Sequence, residues 1–388
     1  MQPSASRSEA SPESLPPVLE ANLRLPAIPK LNGLRALSAF IVVTYHYGIP
    51  YVPTGFGVLS FFVISGFLIT WLLLQERDRT GSISLRAFYV RRSLRIFPAF
   101  YVYWVFAVLF SLAIGRIIWP QAWASFFYVA NYYQGLNGYP SSGFSHTWSL
   151  GIEEQFYLLW PAIFLMLGHR PRRMLAGIVA SIVAINVYRI TLHNVGVPEE
   201  YIYTAFETRF DHLLVGCGIA VALHHKMGGR FWSVVARRWT LPLLVGLLAI
   251  SISYGNVYGI PYRNMIGFAI DPVLIGLLLV RLLSRNDFET AWMDSKPVVY
   301  LGTISYSTYL YQQAVLYPAR QILLRAGSPE VLTFVLCAGA VWFTAALSYE
   351  VVERPFLRLK QRWATTGSHF SLPLFGRTKD TRSSETYR

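Results

Sequence analysis

Charged residues make up only 14% of this 388-residue chain, against roughly 25% in an ordinary water-soluble domain. The deficit excludes a soluble fold. Hydrophobic residues reach 54%, and apolar runs recur from Leu34 to Val352 without a gap that could hold a soluble domain. Cysteine is nearly absent: Cys217 and Cys337 both sit in apolar runs, which excludes a disulfide framework and a cysteine metal site. No HExxH, no Gly-rich phosphate loop and no G-x-S-x-G elbow is present, so zinc hydrolysis, P-loop chemistry and an α/β-hydrolase elbow are excluded as well. Residues Met1 to Leu25, rich in Ser, Pro and Glu, lack the apolar core of a signal peptide.

What is present is a series of long apolar segments with basic loops between alternate pairs. A helical crossing needs about 20 mostly apolar residues. Ten segments qualify: 34–51, 56–75, 97–118, 148–167, 174–190, 210–224, 239–257, 264–283, 299–318 and 331–350. The net charge is +14, but it does not point to nucleic acid, because the Arg and Lys residues gather in loops that alternate with nearly uncharged ones. Arg77, Arg79, Arg86, Arg91, Arg92 and Arg95 crowd 76–96, and Arg170, Arg172 and Arg173 follow in 168–173. Segment 225–238 and the end of the chain are basic too. The positive-inside rule makes these loops cytoplasmic and places both termini inside. Residues 121–133 would invert that pattern if they crossed, so they are expected to be re-entrant or interfacial. The expected fold is an all-α integral membrane protein with about ten transmembrane helices. Residues 1–29 are read as a disordered cytoplasmic tail, 30–360 as the membrane domain and 361–388 as a second cytoplasmic tail.

Ionisable groups inside such spans are costly and tend to mark function. In the first span, Arg35 and His46 are eleven steps apart, about 1,100° of rotation, so both side chains share a face some 16 Å apart along the axis. Arg35 snorkelling to lipid phosphate and His46 as a satisfied bundle histidine is the plainer alternative. In the span 148–167, Ser149, Glu153 and Tyr157 recur every fourth residue and share a face. Glu154 points roughly 100° away from Glu153, and His146 lies just before the helix. A carboxylate beside an imidazole sets its tautomer and raises its basicity; a structural hydrogen-bond network between helices is the alternative. Arg92 and Arg95 share a helix face in RRSLRIFP, next to Arg91. Paired guanidinium groups suit phosphate, although, taken alone, topology and anionic lipid are the plainer account of them. Arg209 and Asp211, in RFDHLLVG, either line a polar opening or form a local ion pair. Ser65, in VISGF, reads as a close-packing site.

These segments together resemble the acyltransferase-3 membrane family, which includes O-antigen, Nod-factor and macrolide acyltransferases. LNGLRALSAFIVVTYH, FFVISGFLIT, RRSLRIFPAF, HTWSLGIEEQFYLLWP, RFDHLLVG, LGTISYSTYLYQ and VVERPFL carry the resemblance in that order, from about Leu31 to Leu359. It implies that Arg35 and His46 form the R-x10-H motif, that Arg92 and Arg95 form an R-x-x-R motif tied to acyl-CoA, and that Ser149, Glu153 and Tyr157 form S-x3-E-x3-Y. Where relatives often read YLWH, this chain reads Tyr309, Leu310, Tyr311, Gln312, so no role passes to a histidine there. The implied activity is transfer of an acyl group, acetyl by family, from acyl-CoA to a hydroxyl of a carbohydrate acceptor, with membrane lipid as surroundings, no metal and no nucleic acid. The expected catalytic set is His46, Glu153 and Arg35. Acyl-CoA would be held by Arg92, Arg95 and Arg91, with Ser149, Tyr157, His146, Glu154, Arg209 and Asp211 in support. The implied location is a bacterial inner membrane. A secondary transporter or flippase would also bury Arg, His and Glu in a bundle, and is the rival reading.

Overall fold

The computed structural model describes residues 14–25, 28–49, 52, 54–140 and 142–363. Among them there is no strand; the α-helices are α1 (Pro17–Leu23), α2 (Pro29–Tyr47), α3 (Thr54–Thr80), α4 (Leu85–Ala113), α5 (Trp119–Phe126), α6 (Ala130–Asn137), α7 (Trp148–Leu167), α8 (Pro171–Asn194), α9 (Glu199–Thr204), α10 (Asp211–His224), α11 (Gly229–Val235), α12 (Thr240–Tyr262), α13 (Phe268–Leu283), α14 (Phe288–Ala291), α15 (Lys296–Thr303), α16 (Ser305–Arg325), α17 (Glu330–Ser348) and α18 (Arg354–Trp363).

Six helical stretches among the described residues are long and apolar enough to cross a membrane: Gly55–Thr80, Leu85–Ala113, Ser145–Leu167, Pro171–Asn194, Thr240–Leu283 and Glu330–Leu359. The ten expected segments therefore divide. Segments 239–257 and 264–283 fall in a single helical stretch, interrupted at Gly259 (φ 61°) and by a π-helical turn, Arg263–Gly267. Segment 299–318 falls on two helices, α15 and α16, which part at Ile304. Helices α2 and α16 have the length of a span but carry polar side chains along it, and α10 has only 14 residues. Segment 121–133 forms no single span. It lies on α5 and α6, eight residues each, which part at Tyr128 with a left-handed φ of 57°.

The tail read as disordered over 1–29 is corrected in part. Helix α1 forms there, with Leu15, Leu19 and Leu23 buried against the apolar cluster that includes Leu279 and Leu283. Asn22 Nδ2 also donates to the Leu283 carbonyl at 2.8 Å. The remaining calls on 1–13 and 364–388 lie outside the described residues.

Helix ends follow local chemistry. Proline opens α2 and α8, where its missing N–H costs nothing. The Ser84 hydroxyl accepts from Ala87 N at 3.2 Å and caps α4. Gly48, with φ 98°, closes α2.

Helices α3 and α10 pack closely and run parallel. A Cβ added at Gly66 would fall on the Leu213 carbonyl oxygen, and one at Gly216 on the Val63 carbonyl oxygen. Small residues at both sites let the backbones touch, which is how helices associate in lipid, where no hydrophobic drive joins them. The two ends of the bundle differ. Arg77, Arg92, Arg95 and the His224–Asp78 pair at 2.8 Å lie at one end. His46, His146 and Arg209 lie at the other.

Gly66→Ala is expected to cost about 2–3 kcal/mol, because backbone and not a flexible side chain blocks the methyl group. Gly246→Ala, whose Cβ meets nothing within 4 Å, serves as the neutral control. Thermal unfolding in detergent measures both, and an unchanged midpoint for Gly66→Ala refutes the close contact.

Candidate functional site

A narrow cavity opens where α2, α3, α4, α7 and α16 converge. Arg35, Arg92, Arg95, Glu153, Glu154 and Ser149 stand in its wall, with Ser65, Ser305, Tyr306 and Tyr309. Three guanidinium groups thus face two carboxylates in an otherwise apolar bundle. Such charges persist only if they are balanced and hydrogen-bonded; here the carboxylates lie within electrostatic reach of the guanidinium groups, and hydroxyls and a ring supply the direct contacts. Ser65 Oγ donates to Glu153 Oε1 at 3.0 Å. Arg35 Nε donates to Ser305 Oγ at 3.3 Å. The Arg92 guanidinium lies 3.6 Å over the Tyr157 ring, a cation–π contact. A third acid, buried Glu353, accepts from Ser307 Oγ at 2.5 Å and lies within electrostatic reach of Arg95 and Arg35.

The far end of the cavity is closed by a hydroxyl pair. Ser149 Oγ and Tyr309 Oη lie 2.5 Å apart, and Tyr309 also donates to the His146 carbonyl oxygen at 3.0 Å. Beyond them sits His146, buried between the rings of Tyr103 and Tyr309, each 5.5 Å away. His46 follows. Its Nδ1 lies 3.2 Å from Tyr317 Oη, and the Gln313 amide nitrogen is 3.4 Å from both ring nitrogens. Gln313 also stands beside His146.

The helical phasing expected for Arg35 and His46 is found: both side chains meet α16, one at Ser305 and the other at Gln313 and Tyr317. Ser149, Glu153 and Tyr157 share their face as expected. Glu154 lines the same cavity, because the cavity wraps around α7 instead of facing a single stripe.

Three expected partnerships are corrected. Glu153 does not meet His46; its hydrogen bond is to Ser65 on α3, and the partners of His46 are uncharged. Arg91 does not join Arg92 and Arg95. It pairs with Glu76 at 2.5 Å, because its position on α4 turns it away from the cavity. Arg209 and Asp211 lie within electrostatic reach of each other, but the local ion pair is made with a different arginine. Asp211 pairs with Arg189 at 2.9 Å and so ties α10 to α8, while Arg209 stacks on Phe268 at 3.9 Å. Ser65 is more than a packing residue: its neighbour Gly66 makes the close approach and Ser65 serves Glu153. Glu353, Ser305, Tyr309, Gln313 and Tyr317 were given no role from sequence, although all but the last two lie within the quoted LGTISYSTYLYQ and VVERPFL segments. No group of three or more His, Cys, Asp or Glu side chains converges in metal-binding geometry among the described residues. The arginine end suits phosphate, and the imidazole end suits proton transfer from a hydroxyl.

Comparison with known proteins bears on this geometry. A family model described as an acyltransferase domain matches residues 28–350. The chain is similar to the peptidoglycan O-acetyltransferase OatA of Listeria monocytogenes, at 30% identity over 84% of this chain and 55% of that protein. It is also similar to the O-acetyltransferase OatA of Staphylococcus aureus, at 30% identity over 84% of this chain and 57% of that protein. The chain thus spans about half the length of these relatives. No solved structure matches.

Tyr309→Phe removes the hydroxyl that joins Ser149 to the His146 carbonyl and is expected to cost about 1–2 kcal/mol. Measured with Ser149→Ala in a double-mutant cycle of thermal stability, the two losses should be less than additive. Strict additivity would show that the 2.5 Å contact contributes nothing.

Proposed function

This chain belongs to the acyltransferase-3 family, and from that premise we propose that it transfers an acyl group, acetyl in the simplest case, from acyl-CoA to a hydroxyl of a carbohydrate acceptor. The observation that carries the proposal is the cavity with guanidinium groups at one end and, past the Ser149–Tyr309 pair, two imidazoles beyond the other. We further read the chain as a bacterial inner-membrane protein of about ten crossings, α2 and α16 among them, with 30–360 as the membrane domain and both termini cytoplasmic. That orientation puts Arg92 and Arg95 on the side where acyl-CoA is made.

In this reading the CoA phosphates dock on Arg92 and Arg95, a task suited to forked, permanently charged donors. The pantetheine arm threads the cavity past Arg35 and carries the thioester toward the Ser149–Tyr309 pair. His46 takes the proton from the acceptor hydroxyl. The alkoxide oxygen attacks the thioester carbonyl, the C–O bond forms and the C–S bond breaks. The CoA thiolate then recovers the proton from His46. Gln313 and Tyr317 hold the imidazole in place, and His146 stands between it and the cavity. Glu153 and Glu154 offset the cations of the wall, with Glu353 behind Arg95; Glu153 thereby keeps Arg35 and Arg92 oriented when no anion is bound. The name of the Listeria relative specifies peptidoglycan, and a glycan of that class is the acceptor we extend to this chain.

Acyl transfer in membrane vesicles tests the assignment. His46→Ala is expected to lower turnover at least ~100-fold, the usual worth of a general base, and near-normal turnover would remove His46 from the mechanism. Arg92→Ala combined with Arg95→Ala is expected to raise the acyl-CoA KM by about tenfold or more, the worth of one charge-assisted hydrogen bond. An unchanged KM would end the phosphate-docking role.

A further inference from the structure

The end of the bundle that holds His46 and His146 buries one cation that the scheme above does not use. Arg209 is fully buried, and among the described residues its Nε, Nη1 and Nη2 make no hydrogen bond. Aromatic rings surround it: Phe268 at 3.9 Å, Tyr203 at 4.8 Å and Trp148 at 5.7 Å. Rings stabilise the faces of a guanidinium, but its five N–H donors lie in the plane and need oxygen acceptors at its edge.

Three nearby acids make their direct contacts elsewhere. Asp211 is taken by Arg189 at 2.9 Å. Glu199 pairs with Arg263 and accepts from Asn264 at 2.7 Å. Glu207 accepts from Tyr132 at 2.8 Å and from Tyr201. Asp211 lies within electrostatic reach of Arg209, but none of these acids hydrogen-bonds it among the described residues, and a buried guanidinium whose N–H donors are unmet is unfavourable.

A second guanidinium faces the same rings. Arg263 lies 4.8 Å from Tyr203 and 5.7 Å from Phe268. It is set there by the π-helical turn Arg263–Gly267, a local irregularity that recurs at functional sites. Tyr139, half exposed, meets Tyr203 edge-on at 6.3 Å and connects the cluster to the surface. The cluster also adjoins the imidazoles. Trp148 follows His146 by two residues and touches Tyr203 at 5.0 Å, and Tyr203 is within electrostatic reach of Tyr45, whose ring lies 5.0 Å from His46.

We propose that Arg209, with Arg263 beside it across Tyr203 and Phe268, is an anion subsite that receives a carboxylate or phosphate borne by the acceptor. This rests on the acyl-transfer reading and narrows it: the acceptor is an acidic glycan or a glycan on a phosphate-bearing carrier. The anion supplies in-plane oxygen acceptors to Arg209, the aromatic rings take the apolar faces of the adjoining sugar, and the hydroxyl to be acylated lies toward His46.

The test uses the full chain in vesicles and three acceptors built on one neutral oligosaccharide: unmodified, carrying a uronic carboxylate, and carrying a phosphate monoester. The wild type is expected to show the lower KM for an anionic acceptor, and the preferred anion distinguishes a glycan acid from a carrier phosphate. Arg209→Gln should shrink the ratio of neutral to anionic KM by about tenfold, the worth of one charge-assisted hydrogen bond, and Arg209→Lys should restore part of it. A ratio unchanged by Arg209→Gln overturns the subsite, as does a wild type that does not discriminate. If Arg209→Gln does not fold, competition decides on the wild type: glucuronate or an alkyl phosphate should inhibit transfer to the neutral acceptor, and inhibition by neither overturns the proposal. Transfer without discrimination sinks the subsite and leaves the acyltransferase reading intact; no transfer to any acceptor sinks both.

Discussion

The balance of guanidinium and carboxylate in the cavity wall is the constraint on which the rest of the structure depends. Each ion moved from water into an apolar bundle carries a desolvation penalty of several kcal/mol, recovered only by close opposite charge and hydrogen bonds. Arg35, Arg92 and Arg95 set against Glu153, Glu154 and Glu353 nearly meet that condition. The helices must therefore be polar where they meet. This explains why α2 and α16 carry so many polar side chains for their length: Arg35, Ser305 and Ser307 are constituents of the charge balance, and exchanging them for leucine would strand the ions they serve.

The apolar parts of the fold serve this balance by fixing distances. The α3–α10 contact at Gly66 and Gly216 leaves no slack between the backbones, so Ser65, one residue from that contact, reaches Glu153 at 3.0 Å. The pairing of Asp211 with Arg189 locks α10 to α8 in the same way at the opposite end. A hydrogen bond to a carboxylate weakens steeply with misplacement, so rigid apolar packing is what makes the polar network usable.

The sequence showed the features that depend on a single helix and hid those that depend on two. The shared face of Arg35 and His46, and that of Ser149, Glu153 and Tyr157, follow from the helical repeat alone, and both are found. Partner identity does not follow. Glu153 reaches Ser65 across 88 positions, Glu353 reaches Ser307 across 46 and Gln313 reaches His46 across 267, and no local pattern marks such pairs. Helix limits were lost for two reasons. Hydropathy windows undervalue polar helices such as α2 and α16, and the breaks at Gly259 and Ile304 sit within apolar runs. In the N-terminal tail, Leu15, Leu19 and Leu23 had helical spacing, but the surrounding Ser, Pro and Glu outweighed it.

The asymmetry between the two ends of the cavity bears on how one bundle can serve two substrates of different character. The arginines lie within electrostatic reach of the wall's carboxylates without an ion pair to them among the described residues, so an incoming phosphate need not displace one. Among the described residues the imidazoles at the other end face no carboxylate: His46 has an amide and a phenol, and His146 has two aromatic rings and Gln313. A neutral imidazole in uncharged surroundings is the form able to accept a proton, and a nearby guanidinium–carboxylate network would disturb it. Keeping the Ser149–Tyr309 pair between the two regions separates anion binding from proton transfer. The length of α2, about 16 Å from Arg35 to His46, sets how far a bound chain must reach to connect them.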